Sequence, residues 1–102
     1  MNKTEIKKKI KQAIEKSPHK KDIKRVSIFG SYAYGKPHPK SDVDILIEFK
    51  KNASIGYFEL SHIQRNFSKS IDKPVDLLTP RAISRFFRSS VIKKAQKIYE
   101  NK

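Results

Sequence analysis

An α/β fold is the class this sequence predicts, and three observations predict it. Segments of helical and strand periodicity alternate in the order α-β-α-β-α-β-α, which packs as two or three layers. An apolar strand, Arg25-Val26-Ser27-Ile28-Phe29, runs directly into Gly30-Ser31. After ten further residues, Asp42-Val43-Asp44 opens a second apolar strand.

Each element has a local reason. Ile6, Ile10, Ala13 and Ile14 recur at helical spacing between lysines, so residues 4–16 read as an amphipathic helix ended by Ser17-Pro18. Residues 25–29 form the first strand, and a short helix follows through Tyr34. Gly35 to Lys40 holds a glycine, two prolines and lysines and reads as a loop, with Gly35 ending the short helix. Along the second strand, residues 42–49, Val43, Ile45, Ile47 and Phe49 share one face. Asp42, Asp44, Leu46 and Glu48 share the other, which begins acidic and turns apolar, so the acids sit at a sheet edge or tip. Residues 56–69 read as a helix with Phe58, Ile63 and Phe67 in the core, and Pro74 to Leu78 as a third strand. Residues 82–99 read as one or two helices, with Ile83, Phe86, Phe87, Val91, Ile92, Ala95 and Ile98 as apolar positions.

Length and composition bound the function. A chain of 102 residues reads as one domain, 1–102, with little material for a separate substrate-binding domain. The absence of cysteine excludes disulfides and Cys-based zinc sites and suits a cytoplasmic setting. No apolar run approaches membrane-spanning length, and the N-terminus lacks a signal-peptide apolar region. The net charge of +14 fits attraction to nucleic acid, nucleotide or an acidic protein. It equally fits a solvated surface, because lysine supplies most of it.

The chemistry concentrates in the two spaced motifs. A Gly-Ser turn after a strand presents backbone N–H groups to phosphate; Gly30 allows close approach and Ser31 adds a hydroxyl. The ordinary alternative is a strand-to-helix turn with Ser as N-cap, and both roles are compatible. Asp42 and Asp44, spaced i and i+2, point from one face and would repel unless a cation lay between them. Aspartate is depleted in strands, so a same-face pair points to Mg²⁺ held against a nucleotide rather than to a solvated strand mouth. Asp76 lies in Pro74-Val75-Asp76-Leu77-Leu78; read alone, it is a strand residue with its carboxylate at the solvent edge. Asp72 precedes that strand and reads as a turn acid. His19, His38 and His62 are scattered without zinc-ligand spacing, no triad cue accompanies Ser31, and there is no Walker-type Gly-Lys-Ser/Thr loop.

Together, Gly30-Ser31, Asp42-Val43-Asp44 and the apolar-flanked Asp76 resemble the DNA polymerase beta-like nucleotidyltransferase superfamily. Within it, the chain is similar to the minimal nucleotidyltransferase (MNT) family, the antitoxin partners of HEPN ribonuclease toxins, over roughly residues 20–100. The resemblance implies a small mixed β-sheet backed by helices. It makes Gly30 and Ser31 the triphosphate-binding residues, and Asp42, Asp44 and Asp76 the catalytic and metal-binding carboxylates. Two Mg²⁺ ions are implied, one at the acceptor hydroxyl and one at the leaving pyrophosphate, with Asp76 also able to help deprotonate the acceptor. It further implies ATP as donor and a HEPN toxin tyrosine as acceptor, so that AMP transfer silences a ribonuclease. Many MNT proteins carry an arginine near Tyr32 or Tyr34; this chain has Tyr-Ala-Tyr, and those rings either stack on a base or pack. Lys36 and Lys40 flank the loop, either steering phosphate or solvated.

Two other classes stand beside this expectation. One is a non-catalytic antitoxin that blocks its toxin by contact; intact acidic and Gly-Ser motifs weigh against it, and ATP turnover separates the two. The other is an RNA-binding protein or a transferase acting on RNA ends. The charge suggests it, but no recognisable RNA-binding motif supports it.

Overall fold

The computed structural model describes residues 2–35 and 42–101, without the Tyr34 side chain. Helix α1 (Lys3–Glu15) is capped by the Asn2 side chain, which accepts from the Glu5 N–H. A 3₁₀ turn at Lys20–Asp22 leads into strand β1 (Ile23–Phe29), and Gly30 links β1 to the short helix α2 (Ser31–Tyr34). Strand β2 (Val43–Phe49), helix α3 (Tyr57–Ile71) and strand β3 (Val75–Leu78) follow. A 3₁₀ turn at Pro80–Ala82, helix α4 (Arg85–Lys94) and strand β4 (Gln96–Glu100) complete the order.

The four strands form one mixed sheet in the order β3-β2-β1-β4. β1 is antiparallel to both β2 and β4, and β2 is parallel to β3. One face carries Val26, Ile28, Val43, Ile45, Ile47, Val75 and Leu77 against α1 and α3. The helices answer with Ile6, Ile10 and Ile14 from α1 and Ile63, Phe67 and Ile71 from α3, at four-residue spacings that make one stripe on each. Leu46 is also buried, but on the opposite face, where it shares a cavity of about 290 Å³ with Ser27, with Ile92 of α4 and with Ala95 just after it. On that second face Arg25 bridges Glu48 at 3.5 Å and Glu100 at 3.1 Å, tying β1 to both its neighbours. No helix among the described residues is long and apolar enough to cross a membrane.

Two expectations are corrected. Residues 82–99 are not all helical, because the chain leaves α4 at Ala95 in extended backbone and becomes β4. The apolar rhythm of Ile92, Ala95 and Ile98 continues across that break, and no Gly or Pro marks it; the open edge of β1 supplies the partner that makes a strand. Phe58 is 83% exposed rather than in the core. It stands five residues before Ile63, about 140° around the helix from the Leu60-Ile63-Phe67-Ile71 stripe. Phe86 and Phe87 are exposed as well, and α4 buries no residue fully.

Candidate active site

Topology gathers the spaced motifs at one tip of the sheet. β1 ends there, and because β2 is antiparallel to β1 and parallel to β3, both β2 and β3 begin there. Asp44 is in register with Phe29 on one side and with Asp76 on the other. Adjacent strands lie about 4.8 Å apart, so Asp44 and Asp76 are direct neighbours on the face away from α1 and α3. Asp42 precedes β2 and is exposed, as is Asp76, while Asp44 is half-buried.

The turn above them is built for close approach. Gly30 has φ +73° and ψ −153°, a backbone conformation that is essentially glycine's own. A Cβ on Gly30 would meet Asp44 Oδ2 at 2.1 Å, so the carboxylate rests directly against the turn. Ser31 opens α2, where the first N–H groups have no acceptor one turn back in their own helix. The other end of α2 is tied down by two distant side chains. Gln96 of β4 donates to Ala33 O at 2.8 Å and Lys3 of α1 donates to it at 3.4 Å.

The position of Asp76 is fixed from behind. Val43 N–H donates to Pro74 O at 3.0 Å, which extends the parallel ladder. Val75 turns its backbone the other way, toward α3. Its N–H donates to Ser68 Oγ at 2.9 Å, and its carbonyl accepts from Gln64 at 2.8 Å. Two side chains one helical turn apart thus close the outer edge of β3 and set its register. Neither these ties nor that of Gln96 was visible in the sequence, because each depends on contacts between separate elements.

Burial raises the Asp44 carboxyl above its ordinary pKa, and the charges of Asp76 and Asp42 raise it further. The folded metal-free protein therefore holds that proton more tightly than the unfolded chain. Stability from Asp44 is full at low pH and is lost as pH rises through the raised pKa. Asp44→Asn should consequently make the metal-free protein more stable than wild type at pH 7, with the difference vanishing toward acid; urea unfolding between pH 3 and pH 7 checks this.

Among the described residues, no group of three or more His, Cys, Asp or Glu is gathered tightly enough to hold a metal unaided. Mg²⁺ does not ask for that: it is commonly held by one or two carboxylates, waters and substrate phosphates. A same-face acidic cluster whose Asp44 carboxyl is raised by burial and by its acidic neighbours, beneath a turn open to phosphate, fits such a partly filled site.

Other sequence candidates separate here. Asp72 ends α3 in the left-handed conformation, φ 54°, and is exposed, as a turn acid should be. Tyr32 is 8% exposed within the core, so its ring packs. Gly35 does end α2, its N–H donating to Ser31 O at 2.9 Å, though in extended rather than left-handed backbone. His19 and His62, distant in sequence, meet edge to face with ring centroids 5.7 Å apart. The Tyr34 side chain, Lys36, His38 and Lys40 lie outside the described residues.

Comparison with known proteins agrees with this fold. The family model described as Polymerase beta, Nucleotidyltransferase matches residues 8–102. A relative named "Putative protein adenylyltransferase MJ0435", from Methanocaldococcus jannaschii, is 35% identical over 93% of this chain and 96% of its own length. A solved minimal nucleotidyltransferase structure superposes with TM-score 0.74 at 21% identity, covering 93% of this chain and 94% of that one. A toxin-antitoxin structure with AMP-PNP gives TM-score 0.69 at 20% identity, over all of this chain and 76% of that one. A complex of tri-AMPylated Shewanella oneidensis HEPN toxin with MNT antitoxin gives TM-score 0.67 at 17% identity, over 97% and 73%. The mixed sheet with its carboxylate-bearing tip is thus the minimal nucleotidyltransferase fold, and the chain belongs to the Polymerase beta nucleotidyltransferase family.

Proposed function

We propose that the chain, acting as a single domain, is a Mg²⁺-dependent protein adenylyltransferase. It transfers AMP from ATP to a tyrosine hydroxyl of a HEPN-type toxin and so serves as the antitoxin. The observation that carries this reading is the register of Asp44 against Asp76 directly beneath the Gly30 turn. The name of the M. jannaschii relative, the AMP-PNP in one structural neighbour and the tri-AMPylated toxin in another support the donor and the acceptor class.

In this reading Gly30 and Ser31 receive the triphosphate through backbone N–H groups and the Ser31 hydroxyl. Asp42, Asp44 and Asp76 would hold two Mg²⁺, which supply charge neutralisation at the pyrophosphate and a more acidic acceptor hydroxyl. The acceptor oxygen attacks the α-phosphorus, the bond to pyrophosphate breaks, and Asp76, at the exposed edge strand, takes the hydroxyl proton. The protein's contribution is mainly position and fixed charge.

Co-expression with a HEPN protein of the same genome tests the reading by intact mass. The partner should gain one or more AMP units on tyrosine with wild type. An inactive but unmodified partner would replace this reading with inhibition by contact.

A further inference from the structure

We infer that α4 is the surface on which the acceptor protein docks, its Phe86-Phe87 pair entering an apolar recess rimmed by the partner's acidic residues. The inference rests on the proposed protein-directed transfer and adds where the partner sits. Phe86 is 80% exposed and Phe87 66% exposed, although folding normally removes such rings from water. Arg85 lies over the Phe86 ring at 5.2 Å from its centroid, a cation held against an aromatic face in solvent.

Arginine separates this patch from the other exposed aromatic pair, Tyr57-Phe58 of α3, which has no arginine within six residues in sequence. The chain has 24 basic residues, and most are lysines. Yet Arg81, Arg85 and Arg88 fall within eight residues that also hold Phe86 and Phe87. Interface centres are enriched in aromatics and arginine and depleted in lysine, which prefers water. The lysine-rich face of α1 has the same charge sign but no exposed aromatic pair. From residue 77 to residue 99 there are six basic residues and no acid, so the complementary rim is acidic.

Position links the patch to the chemistry. Ile92 of α4 and the Ala95 that follows the helix line a cavity with Ser27 and Leu46, on the sheet face that carries Asp44 and Asp76. The helix also has an anchor that keeps it in place without burying its rings. Arg88 donates to Pro80 O at 2.8 Å and to Ile83 O at 3.2 Å. A protein seated on α4 therefore covers the same face of the sheet that carries the carboxylates. Adjacent rings on a helix diverge by about 100°, which suits insertion into a recess better than stacking along successive bases.

The test compares Phe86→Ser/Phe87→Ser, Arg81→Glu/Arg85→Glu and Lys8→Glu/Lys9→Glu. The last two change the net charge equally. Binding to the HEPN protein is measured by calorimetry, AMP transfer by intact mass, and Mg²⁺–ATP binding separately. The phenylalanine and arginine variants should bind the HEPN protein about 30-fold more weakly or worse, while the lysine variant stays within about threefold. ATP binding should be unchanged in all three. Wild-type transfer with undiminished partner binding by both α4 variants overturns the docking surface and leaves the transferase reading standing. A wild type that neither binds nor modifies HEPN protein overturns both. Wild-type self-association, or binding of a 20-nucleotide RNA, that the Phe86→Ser/Phe87→Ser change alone removes would reassign α4 and overturn the inference.

Discussion

Asp42→Asn/Asp44→Asn is expected to lower AMP transfer by about 10³-fold or more while leaving the protein folded. One electrostatic contact at a transition state is commonly worth about 10²–10³-fold, and this change removes two charges from one acidic cluster. Folding should survive, because Asp42 is exposed, Asp44 is half-buried, and neither side chain belongs to the core shared by α1, α3 and the sheet. The variant should even gain stability at neutral pH without metal, since burial first and repulsion from Asp76 and Asp42 second raise the Asp44 pKa. Loss of activity together with a higher unfolding midpoint distinguishes a functional acidic site from a damaged fold. Calorimetry of ATP with and without Mg²⁺ supplies the second reading. Metal-dependent ATP binding equal to wild type would remove Asp42 and Asp44 from the metal site.

The same cluster explains why the candidate site was legible in the sequence while parts of the fold were not. Asp42 and Asp44 announce a shared face through two-residue spacing alone, and Gly30-Ser31 announces a turn through residue type. Both signals are local. The pairing of Asp44 with Asp76 is not local, and the resemblance, rather than spacing, pointed to it before the parallel β2–β3 ladder placed them side by side. β4 was missed because Ile92, Ala95 and Ile98 keep a helical rhythm and only the unpaired edge of β1 decides otherwise. That edge decision matters for the site, since Gln96 of β4 holds Ala33 of α2. Phe58 shows the converse error. An apolar residue on a helix was read as core, whereas its angle about the axis decided its burial.

Gly30→Ala should damage both the fold and the reaction, for two separable reasons. The backbone at φ +73° and ψ −153° costs a residue with a Cβ about 1–3 kcal/mol. The added methyl would also stand 2.1 Å from Asp44 Oδ2, so the carboxylate must leave its place beneath the turn. Expected are a loss of about 1–3 kcal/mol in urea unfolding and a fall in transfer of about 10²-fold or more, because misplacement of about 1 Å is enough for that. Gly56→Ala is the control: its φ is −102°, and its Cβ would meet only the end of the Glu59 side chain at 3.1 Å. That variant should transfer AMP normally. Combining Gly30→Ala with Asp44→Ala separates the causes. Removing the carboxylate relieves the collision but not the backbone strain, so the stability cost of Gly30→Ala should shrink without vanishing. A Gly30→Ala protein with wild-type transfer would mean that the turn does not set the position of Asp44, and the site would have to be rebuilt around the other carboxylates.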